Sequence, residues 1–455
     1  ESVSLVDEVF ADHPGFAAMD FATRDRYRHR VEELARGSGR SEVEVARAAL
    51  ALAHAPPAGD ALEPTMAARH GDPGYYLVAD GYAALERALV SRVPLVARLR
   101  RALLRRATLG YPAAIALVTA AVLAVPVALS AVAAGPGGAL GLGLVVVASL
   151  AVLPASDLAV AVVNRAIARW LGPRLLPRLE LVDGVPSELR TLVVVPTLLA
   201  GEADVEAQVG RLELHYLANR DGDLRFALLT DWLDAATEHL PGDEDLLSAA
   251  GAAIDRLNAR HGEAPGGGAR FLLLHRQRSW NEAEGTWMGW ERKRGKLEEL
   301  NALLRGSTAT RFLVTGRSAS TPPADVRYVV TLDADTRLPP GAVRRLVGTI
   351  AHPLNRPAFD PRTGRVGHGY GVLQPRITPT LPPEHEASFF QRTFAGAAGI
   401  DPYASAVSDV YQDLFREGSF TGKGIYDVDA FHAAMAGRVP ENALLSHDLF
   451  EGTFA

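Results

Sequence analysis

Two long stretches with almost no charged side chains constrain this sequence more than any other feature. Residues 107–134 carry no charge, and residues 138–163 carry only Asp157. Each exceeds the roughly 20 residues that an α-helix needs to cross the hydrocarbon core of a bilayer. Each is also apolar on all sides rather than along one stripe. The two stretches, joined by a glycine-rich turn, predict a transmembrane helical hairpin. The alternative is a helix pair buried in a soluble protein.

Arginines flank this predicted hairpin on both sides. Because basic flanks stay on the cytoplasmic side of a membrane, both flanks are predicted to be cytoplasmic. Two spans return the chain to the side on which it started, which agrees with this orientation. Asp157 lies near the end of the second stretch, so we interpret it as an interfacial residue rather than as a functional intramembrane carboxylate. The flanking residues are Arg98, Arg100, Arg101, Arg105 and Arg106 before the hairpin, and Arg165, Arg169, Arg174 and Arg178 after it.

The hairpin, predicted over residues 107–164, separates regions of different character. Residues 1–106 read as a helical region, in which Ser41 and Glu44 have capping-box spacing. Residues 165–188 form a basic juxtamembrane linker. From residue 189 to 455, short β-rich runs alternate with helices, which predicts an α/β domain with a mostly parallel mixed sheet. The predicted strands are 191–199, 225–231, 270–276, 327–335 and 369–377, and the predicted helices include 203–218 and 244–261.

Composition excludes several classes of function. The 455 residues carry a formal net charge of −6, which argues against a nucleic-acid partner. The chain contains no cysteine, which excludes disulfides, thiolate metal sites and a cysteine nucleophile. The sequence starts at Glu1 and stops at Ala455 within a motif, so we expect it to be part of a longer chain.

The strongest chemical signal is Asp333-Ala-Asp335, which follows the apolar run of the fourth predicted strand. Alternation along a strand places both carboxylates on the same side of the backbone. Ligands of open α/β sheets bind beyond the carboxyl ends of the strands. Two hard oxygen ligands at such a place can hold Mg²⁺ or Mn²⁺, and the ion can bind a diphosphate. An Asp-x-Asp that arises by chance in a loop is the alternative.

Asp231 also ends a predicted strand, where it can accept hydrogen bonds from the base or ribose of a nucleotide. The alternative is a helix N-cap before residues 232–239. Thr197, at the end of the first predicted strand, either meets the nucleotide or begins a turn. Arg294 and Lys296, in a basic segment, are candidates for contact with a diphosphate. A solvated helix start is the alternative for that segment.

Asp448 is the candidate general base. Glycosyl transfer needs a group that removes the proton from the attacking hydroxyl as the sugar bond breaks. A single carboxylate suffices when the leaving group is a metal-bound diphosphate, since that group needs no protonation. His447 either orients Asp448 or belongs to ordinary structure, and Asp448 itself has a structural alternative near a helix.

Glycines and small residues between positions 418 and 426 allow a backbone to approach a ligand closely. The order Gly-Lys-Ser/Thr of a phosphate-binding P-loop is absent there. Four residues in this segment and at the end of the fifth predicted strand are candidates for acceptor binding. They are Gln374, Arg376, Gly422 and Lys423.

Taken in order, the motifs resemble the glycosyltransferase domain of cyclic β-1,2-glucan synthases, large inner-membrane proteins of α-proteobacteria and some other bacteria. The resemblance runs from about Asp20 to Ala455, and its order is similar to that of GT-A-type processive synthases such as cellulose synthase. The motifs are MDFATRDRYRHRVEELAR, VVVPT, LLTD, RGKLEELN, TLDADT, LQPRI, GSFTGKGIYDVDAF and LLSHDLFEG.

This resemblance implies a GT-A-type domain, UDP-glucose as donor, Mg²⁺ or Mn²⁺ as cofactor, and inverting transfer to the 2-hydroxyl of a growing glucan. It implies that Asp231 binds the nucleotide and that Lys296 is the basic residue following it. Asp333 and Asp335 match the metal-binding acids, and Asp448 matches the base. It further implies a multi-pass protein of the bacterial inner membrane with its catalytic domain in the cytoplasm.

The sequence departs from the family pattern in what it lacks. The family's transferase continues with a helix containing Gln, Arg and Trp, with further membrane helices, and with a phosphorylase-like domain. We expect these as partners in the remainder of the longer chain, together with the bilayer and a glucan acceptor. Two other functions stay open: a processive β-glycan synthase that makes another linkage, and a non-catalytic membrane scaffold with a degenerate transferase fold.

Overall fold

The computed structural model describes most of the chain in two compact units. The first unit comprises Glu1–Ser91, Leu176–Pro375 and Phe420–Ala455, and the second comprises Arg92–Leu175 and Arg376–Ser419. The described residues are 4–55, 63–90, 95–134, 142–171, 175–313, 320–377, 388–389, 410–415, 418, 420–443 and 447–455.

Short helices form the N-terminal part of the first unit around a core of their own. The predicted capping box is confirmed: Glu44 N donates to Ser41 Oγ at 3.3 Å, and Ser41 N donates to the Glu44 carboxylate at 2.9 Å. Phe10, Tyr27 and Val31 are fully buried in that core. The helices are Leu5–Ala11 (α1), Pro14–Ala17 (α2), Phe21–Ser38 (α3), Glu42–His54 (α4), Pro64–His70 (α5), Pro73–Val78 (α6) and Tyr82–Ala88 (α7).

The second unit contains the two long apolar helices. Windows at Ala107–Ser130 and Ala148–Leu171, of 24 residues each, are long and apolar enough to cross a membrane, with mean hydropathies of 2.3 and 1.5. Buried residues make up 0% of the first window and 22% of the second, unlike the buried soluble pair that was the alternative. The predicted turn at residues 135–138 and Arg174 lie outside the described residues. The helices are Leu95–Arg105 (α8), Ala107–Ala134 (α9) and Leu142–Leu171 (α10).

A six-stranded mixed sheet organises the rest of the first unit, in the order β3-β2-β1-β6-β10-β9. Strands β1, β2, β3 and β6 run parallel, and β10 is antiparallel to both of its neighbours. Two short hairpins, β4–β5 and β7–β8, stand outside this sheet. The strands are Thr191–Leu199 (β1), Leu224–Trp232 (β2), Phe271–Arg276 (β3), Ser279–Asn281 (β4), Thr286–Met288 (β5), Tyr328–Thr331 (β6), Ala358–Asp360 (β7), Arg365–His368 (β8), Val372–Leu373 (β9) and Gly424–Asp427 (β10).

Both faces of the sheet are buried, which explains the continuous apolar runs of its strands. In β1, Val193 and Val195 belong to one core cluster, whereas Leu192 and Val194 belong to the other. The predicted α/β class and mixed sheet are therefore confirmed. The remaining helices are Glu202–Ala218 (α11), Asp243–His261 (α12), Arg292–Leu304 (α13), Ala342–Ile350 (α14), Val410–Phe415 (α15, in the second unit), Val428–Met435 (α16) and Asp448–Phe454 (α17).

Two predicted strands are shorter in the structure than the sequence pattern indicates. Strand β6 ends at Thr331, and β9 covers only two residues. Asp333 and Asp335 therefore lie in the turn after β6, where Thr336 N donates to Asp333 O at 3.0 Å. The strand-alternation argument for their shared side does not apply, because the chain leaves the sheet before it reaches them.

The two compact units do not coincide with the four regions predicted from the sequence. The N-terminal helices share one unit with the α/β part, and α10 extends through the first seven residues of the predicted linker 165–188. An antiparallel bridge between Met19 and Leu179 links the N-terminal helices to the segment after α10. The division of the chain at residues 106, 164 and 188 stays a prediction.

Candidate active site

Asp333 lies just beyond the carboxyl end of β6, between two ammonium groups. Lys293 Nζ donates to Asp333 Oδ1 at 2.5 Å, and Lys423 Nζ lies 2.8 Å from Asp333 Oδ2. Partial burial acts to raise the pKa of Asp333, but the hydrogen bonds from the two lysines outweigh it and hold that pKa below its ordinary value. The hydrogen bond between Lys423 and Asp333 also raises the pKa of Lys423. Asp333 is therefore a carboxylate at neutral pH.

Gly422 brings Asp448 to this cluster. Lys293 Nζ also donates to Gly422 O at 2.8 Å. A Cβ built on Gly422 would lie 2.5 Å from Asp448 Oδ1 and 2.9 Å from Lys293 Nζ. The φ angle of Gly422 is +72°, which favours glycine for a second reason. Asp333, Lys293, Gly422 and Asp448 therefore form one contiguous set, although they are drawn from four separate segments.

Asp335 is exposed in the same turn, one residue beyond Ala334. Its negative charge and that of Asp448 both help to raise the pKa of Lys423, so the three carboxylates share the neighbourhood of one ammonium group. We name Asp333, Asp335, Lys293, Lys423, Gly422 and Asp448 the open cluster.

A second group of potential metal ligands includes Asp448 itself. Ligand atoms of His447, Asp448 and Glu451 all lie within 4.8 Å of one another. His447 Nδ1 is 2.9 Å from Glu451 Oε1 and 3.4 Å from Asp448 Oδ1. His447 thus lies close to both carboxylates, and its orienting role towards Asp448 stays a prediction.

Asp231 has different surroundings. It lies within β2, 2% exposed, so it is not the N-cap of a helix at residues 232–239. Arg276 donates two hydrogen bonds to its carboxylate, at 2.8 and 2.9 Å, and Lys296 Nζ lies 3.1 Å from Asp231 Oδ2. Burial acts to raise the pKa of Asp231, but the bonds and charges of Arg276 and Lys296 lower it below its ordinary value. We name Asp231, Arg276 and Lys296 the buried cluster.

All three protons of the Lys296 ammonium group have acceptors close by. Besides Asp231 they are Thr197 O at 2.7 Å and Leu229 O at 3.1 Å. Burial lowers the pKa of Lys296 to about 8, against the attraction of Asp231. Lys296 thus ties β1 to β2, and Thr197 meets it through its backbone carbonyl. Contact of Lys296 with a diphosphate stays a prediction.

The other predicted residues occupy separate places. Arg294 is 7% exposed and pairs with Glu291 at 3.0 Å and with Glu298 at 2.7 Å. Gln374 Oε1 accepts from Thr421 N at 2.5 Å and from Thr421 Oγ1 at 3.0 Å, next to Gly422. Arg376 belongs to the second unit.

Sequence reasoning missed Lys293 and Arg276. Lys293 stands in the same basic segment as Arg294 and Lys296, in the first turn of α13, but the sequence does not show which of these cations reaches Asp333. Arg276 is the last residue of β3, and the register pairs it with Asp231 across parallel strands. The sequence feature that could have identified Arg276 is a charged residue at the end of an apolar run.

The comparisons with known proteins agree with these motifs. No protein-family model matches the chain. The cyclic beta-(1,2)-glucan synthase NdvB of Rhizobium meliloti (strain 1021) is 46% identical to it over 455 residues, which is 100% of this chain. The chain spans only 16% of the length of that relative. The resemblance drawn from the motifs is confirmed: over its whole length, this chain is related to one portion of a cyclic β-1,2-glucan synthase.

Proposed function

We propose that this chain carries a glycosyltransferase active site that moves glucose from UDP-glucose to the 2-hydroxyl of a growing β-1,2-glucan, with inversion. The observation that carries the proposal is the open cluster, in which Gly422 joins Asp448 to Lys293 and Asp333. The full-length similarity to a portion of a glucan synthase supports the substrate class.

The position of the cluster supports a GT-A-type nucleotide-sugar domain. Asp333 follows β6 and Asp231 ends β2, and these strands flank β1 in the parallel part of the sheet. Ligands of open α/β sheets bind beyond the carboxyl ends of such strands. UDP-glucose bound there would meet Asp333, whereas Asp231 is buried, and its contact with the nucleotide stays a prediction.

A divalent ion, Mg²⁺ or Mn²⁺, fits the residues present. Asp333 and Asp335 offer hard carboxylate oxygens, the donors that both ions prefer. Lys293 and Lys423 contact both oxygens of Asp333, so one ammonium group would have to give up its oxygen to the ion, whereas Asp335 is exposed. These two residues would hold the ion, which when bound supplies charge neutralisation for the departing diphosphate.

The side chains of the chain itself supply the remaining chemistry. Lys293 is a cation at the place where the diphosphate would lie, and it would hold the negative charge of that group. Asp448 accepts the proton of the acceptor hydroxyl as that oxygen bonds to the anomeric carbon. The bond from the anomeric carbon to UDP breaks in the same displacement, and its electron pair leaves with UDP. One displacement inverts the anomeric configuration.

The acceptor side of the site would include Gln374, Gly422 and Lys423, with Arg376 as a fourth candidate. The apolar helices α9 and α10 support association with a lipid bilayer. We further propose a multi-pass protein of the bacterial inner membrane, with the open cluster on the cytoplasmic side. Its other partners would be a glucan acceptor and the remainder of a longer chain, with further membrane helices and a phosphorylase-like domain.

The test is release of UDP from UDP-glucose by the protein in lipid nanodiscs, with a short β-1,2-glucan present and with Mn²⁺ or EDTA. We expect release to require the ion and to fall by about 10²–10⁴-fold in Asp448→Ala. UDP release by Asp333→Ala should fall at least as far. Asp360→Ala, on the β7–β8 hairpin, is the control with unchanged release.

The outcomes separate the alternatives. Unchanged turnover in Asp333→Ala and Asp448→Ala would overturn the site. Product with another linkage would show a different β-glycan synthase that uses the same site. Binding of UDP with no release from UDP-glucose under any condition would favour the scaffold.

A further inference from the structure

Three hydrogen bonds join the β4–β5 region to a turn about 150 residues later in the chain. Trp290 Nε1 donates to Glu441 Oε1 at 3.0 Å. Asn442 N donates to Glu291 Oε1 at 2.6 Å, and Asn281 Nδ2 donates to Asn442 Oδ1 at 2.9 Å. This contact lies directly before α13 on one side and shortly before Asp448 on the other.

The backbone adopts the left-handed region on both sides of this contact. Glu291 has φ +49°, Arg292 has φ +48° and Asn442 has φ +55°. Non-glycine residues rarely adopt this left-handed region, and such residues persist where the surrounding structure holds them there. Two of the three are adjacent at the start of α13. Such conformations are often found where a protein fixes the geometry of a functional site.

Glu291 is the centre of the contact. One carboxylate oxygen accepts from Asn442 N, and the other lies 3.0 Å from Arg294 NH2. The side chain of Glu291 is 12% exposed and that of Arg294 is 7% exposed, so this is not a solvated surface pair. The Arg294 guanidinium also lies 5.5 Å from the centre of the Trp290 ring. The carboxylate is therefore held in place from the α13 side while it holds Asn442.

The two ends of this contact lead to the two sides of the open cluster. Lys293 comes two residues after Glu291, and Asp448 comes six residues after Asn442. Lys293 Nζ and Asp448 Oδ1 lie on either side of Gly422, each within 3 Å of where its Cβ would be.

We propose that Glu291 is a positioning residue, which fixes the Asp448 segment against the start of α13 so that the base and Lys293 keep their spacing. This role rests on the proposed transferase function. A displacement of about 1 Å at a reacting group can cost on the order of a hundredfold in rate. Glu291 acts through Asp448 and does not itself touch the reacting atoms.

The kinetic test compares three variants for UDP release with glucan acceptor. Glu291→Ala removes both contacts and should lower kcat by about ten- to a hundredfold, with the KM for UDP-glucose changed less than threefold. Glu291→Gln keeps an oxygen acceptor for Asn442 N and should restore most of kcat. The matched control is Glu298→Ala, which removes the other carboxylate partner of Arg294 at 2.7 Å and leaves the Asn442 contact intact. Equal effects of Glu291→Ala and Glu298→Ala would overturn the proposal.

A distance measurement tests the contact without reference to activity. The chain has no cysteine, so Ala283→Cys and Ala443→Cys provide two unique sites for spin labels on exposed residues. We expect a narrow distance distribution that broadens in Glu291→Ala and stays narrow in Glu291→Gln and Glu298→Ala. Trp290→Phe loses the hydrogen bond to Glu441 but keeps an aromatic ring. It should broaden the distance distribution less than Glu291→Ala does.

The two tests fail in different ways. If the unsubstituted protein releases no UDP, the proposed function fails. If Glu291→Ala leaves the distance distribution unchanged, the positioning role of Glu291 fails whether or not the protein is active. If Glu291→Ala does not fold, an unaltered kcat together with a broadened distribution in Trp290→Phe would also overturn the link between this contact and the base.

Discussion

The buried and the open cluster are built from the same kinds of parts. Each has an aspartate at or after the end of a parallel strand and a lysine from α13: Asp231 with Lys296, and Asp333 with Lys293. The Asp231 side chain is 3% exposed, whereas that of Asp333 is 36% exposed. Arg276 completes the first pair from a fully buried position.

The difference in exposure gives the two aspartate–lysine pairs different roles. Inside the protein, an unpaired charge is costly, so every member of the buried cluster depends on its partners. Lys296 has three acceptors and fixes strand ends in place. At the open cluster water screens the charges, and breaking a pair costs little. Lys293 can therefore exchange Asp333 for a ligand, and Lys296 cannot exchange its partners without loss of structure.

The largest expected difference is in stability. Asp231→Ala leaves the buried Arg276 guanidinium without its two hydrogen bonds to a carboxylate and with only Glu299 Oε1 at 3.7 Å, and we expect the free energy of unfolding to fall by about 3–5 kcal/mol. Asp333→Ala should lower it by less than about 1 kcal/mol. Thermal and denaturant unfolding of both variants in nanodiscs measures this. A larger loss of stability in Asp333→Ala than in Asp231→Ala would contradict the structural role of the buried cluster.

The two lysines sharpen the same comparison. Lys293→Met removes a charged hydrogen-bond donor from the open cluster and should weaken UDP binding by about 1.5–3 kcal/mol. Lys296→Met leaves two backbone carbonyls and Asp231 without their shared donor, so it should chiefly destabilise the fold. Calorimetric titration with UDP, beside unfolding curves, separates these effects. Equal loss of UDP affinity in both variants, with both folded, would support the predicted contact of Lys296 with the diphosphate.

Gly422 allows a test with a close control. Gly422→Ala and Gly285→Ala both place a side chain at positive φ, at +72° and +62°, which costs about 1–2 kcal/mol. Only the first also pushes a Cβ to within 3 Å of Asp448 and Lys293, since nothing lies within 4 Å of the second. We expect both variants to lose similar stability and Gly422→Ala alone to lose UDP release. Normal release by Gly422→Ala would argue against the closeness of Asp448 and Lys293.

The smallest expected effect is in the pH dependence of stability. The pKa of Asp231 is held below its ordinary value of 3.8, so its carboxylate contributes stability that is fully present above that value. This contribution is lost as the pH falls through the folded-state pKa. The stability gap between the unsubstituted protein and Asp231→Asn should therefore narrow as the pH falls through that folded-state pKa. A gap that widened in acid would contradict the assigned direction of the pKa shift.

Most of the fold could be predicted because burial on both faces of a sheet shows in the residues of a single strand. Strand β1 has the predicted bounds, and the bounds of β2, β3, α11 and α12 lie within one residue of the predicted ones. The end of β6 could not be predicted, because an apolar run does not show where hydrogen bonding to neighbouring strands stops. The site was predictable in part: Asp333 and Asp448 were named, but not the lysine between them.

The sequence by itself determined the two apolar helices, the α/β alternation and the acids that carry the proposed chemistry, since hydrophobic periodicity and residue type are local properties. Only the tertiary structure decided which lysine meets which aspartate. Lys293 and Lys296 are three residues apart on one helix, and the sequence gives both the same charge. The fold turns Lys296 inward beneath the strand ends, where a charge must be paired, and leaves Lys293 at the edge beside Gly422, where solvent and a ligand can reach it.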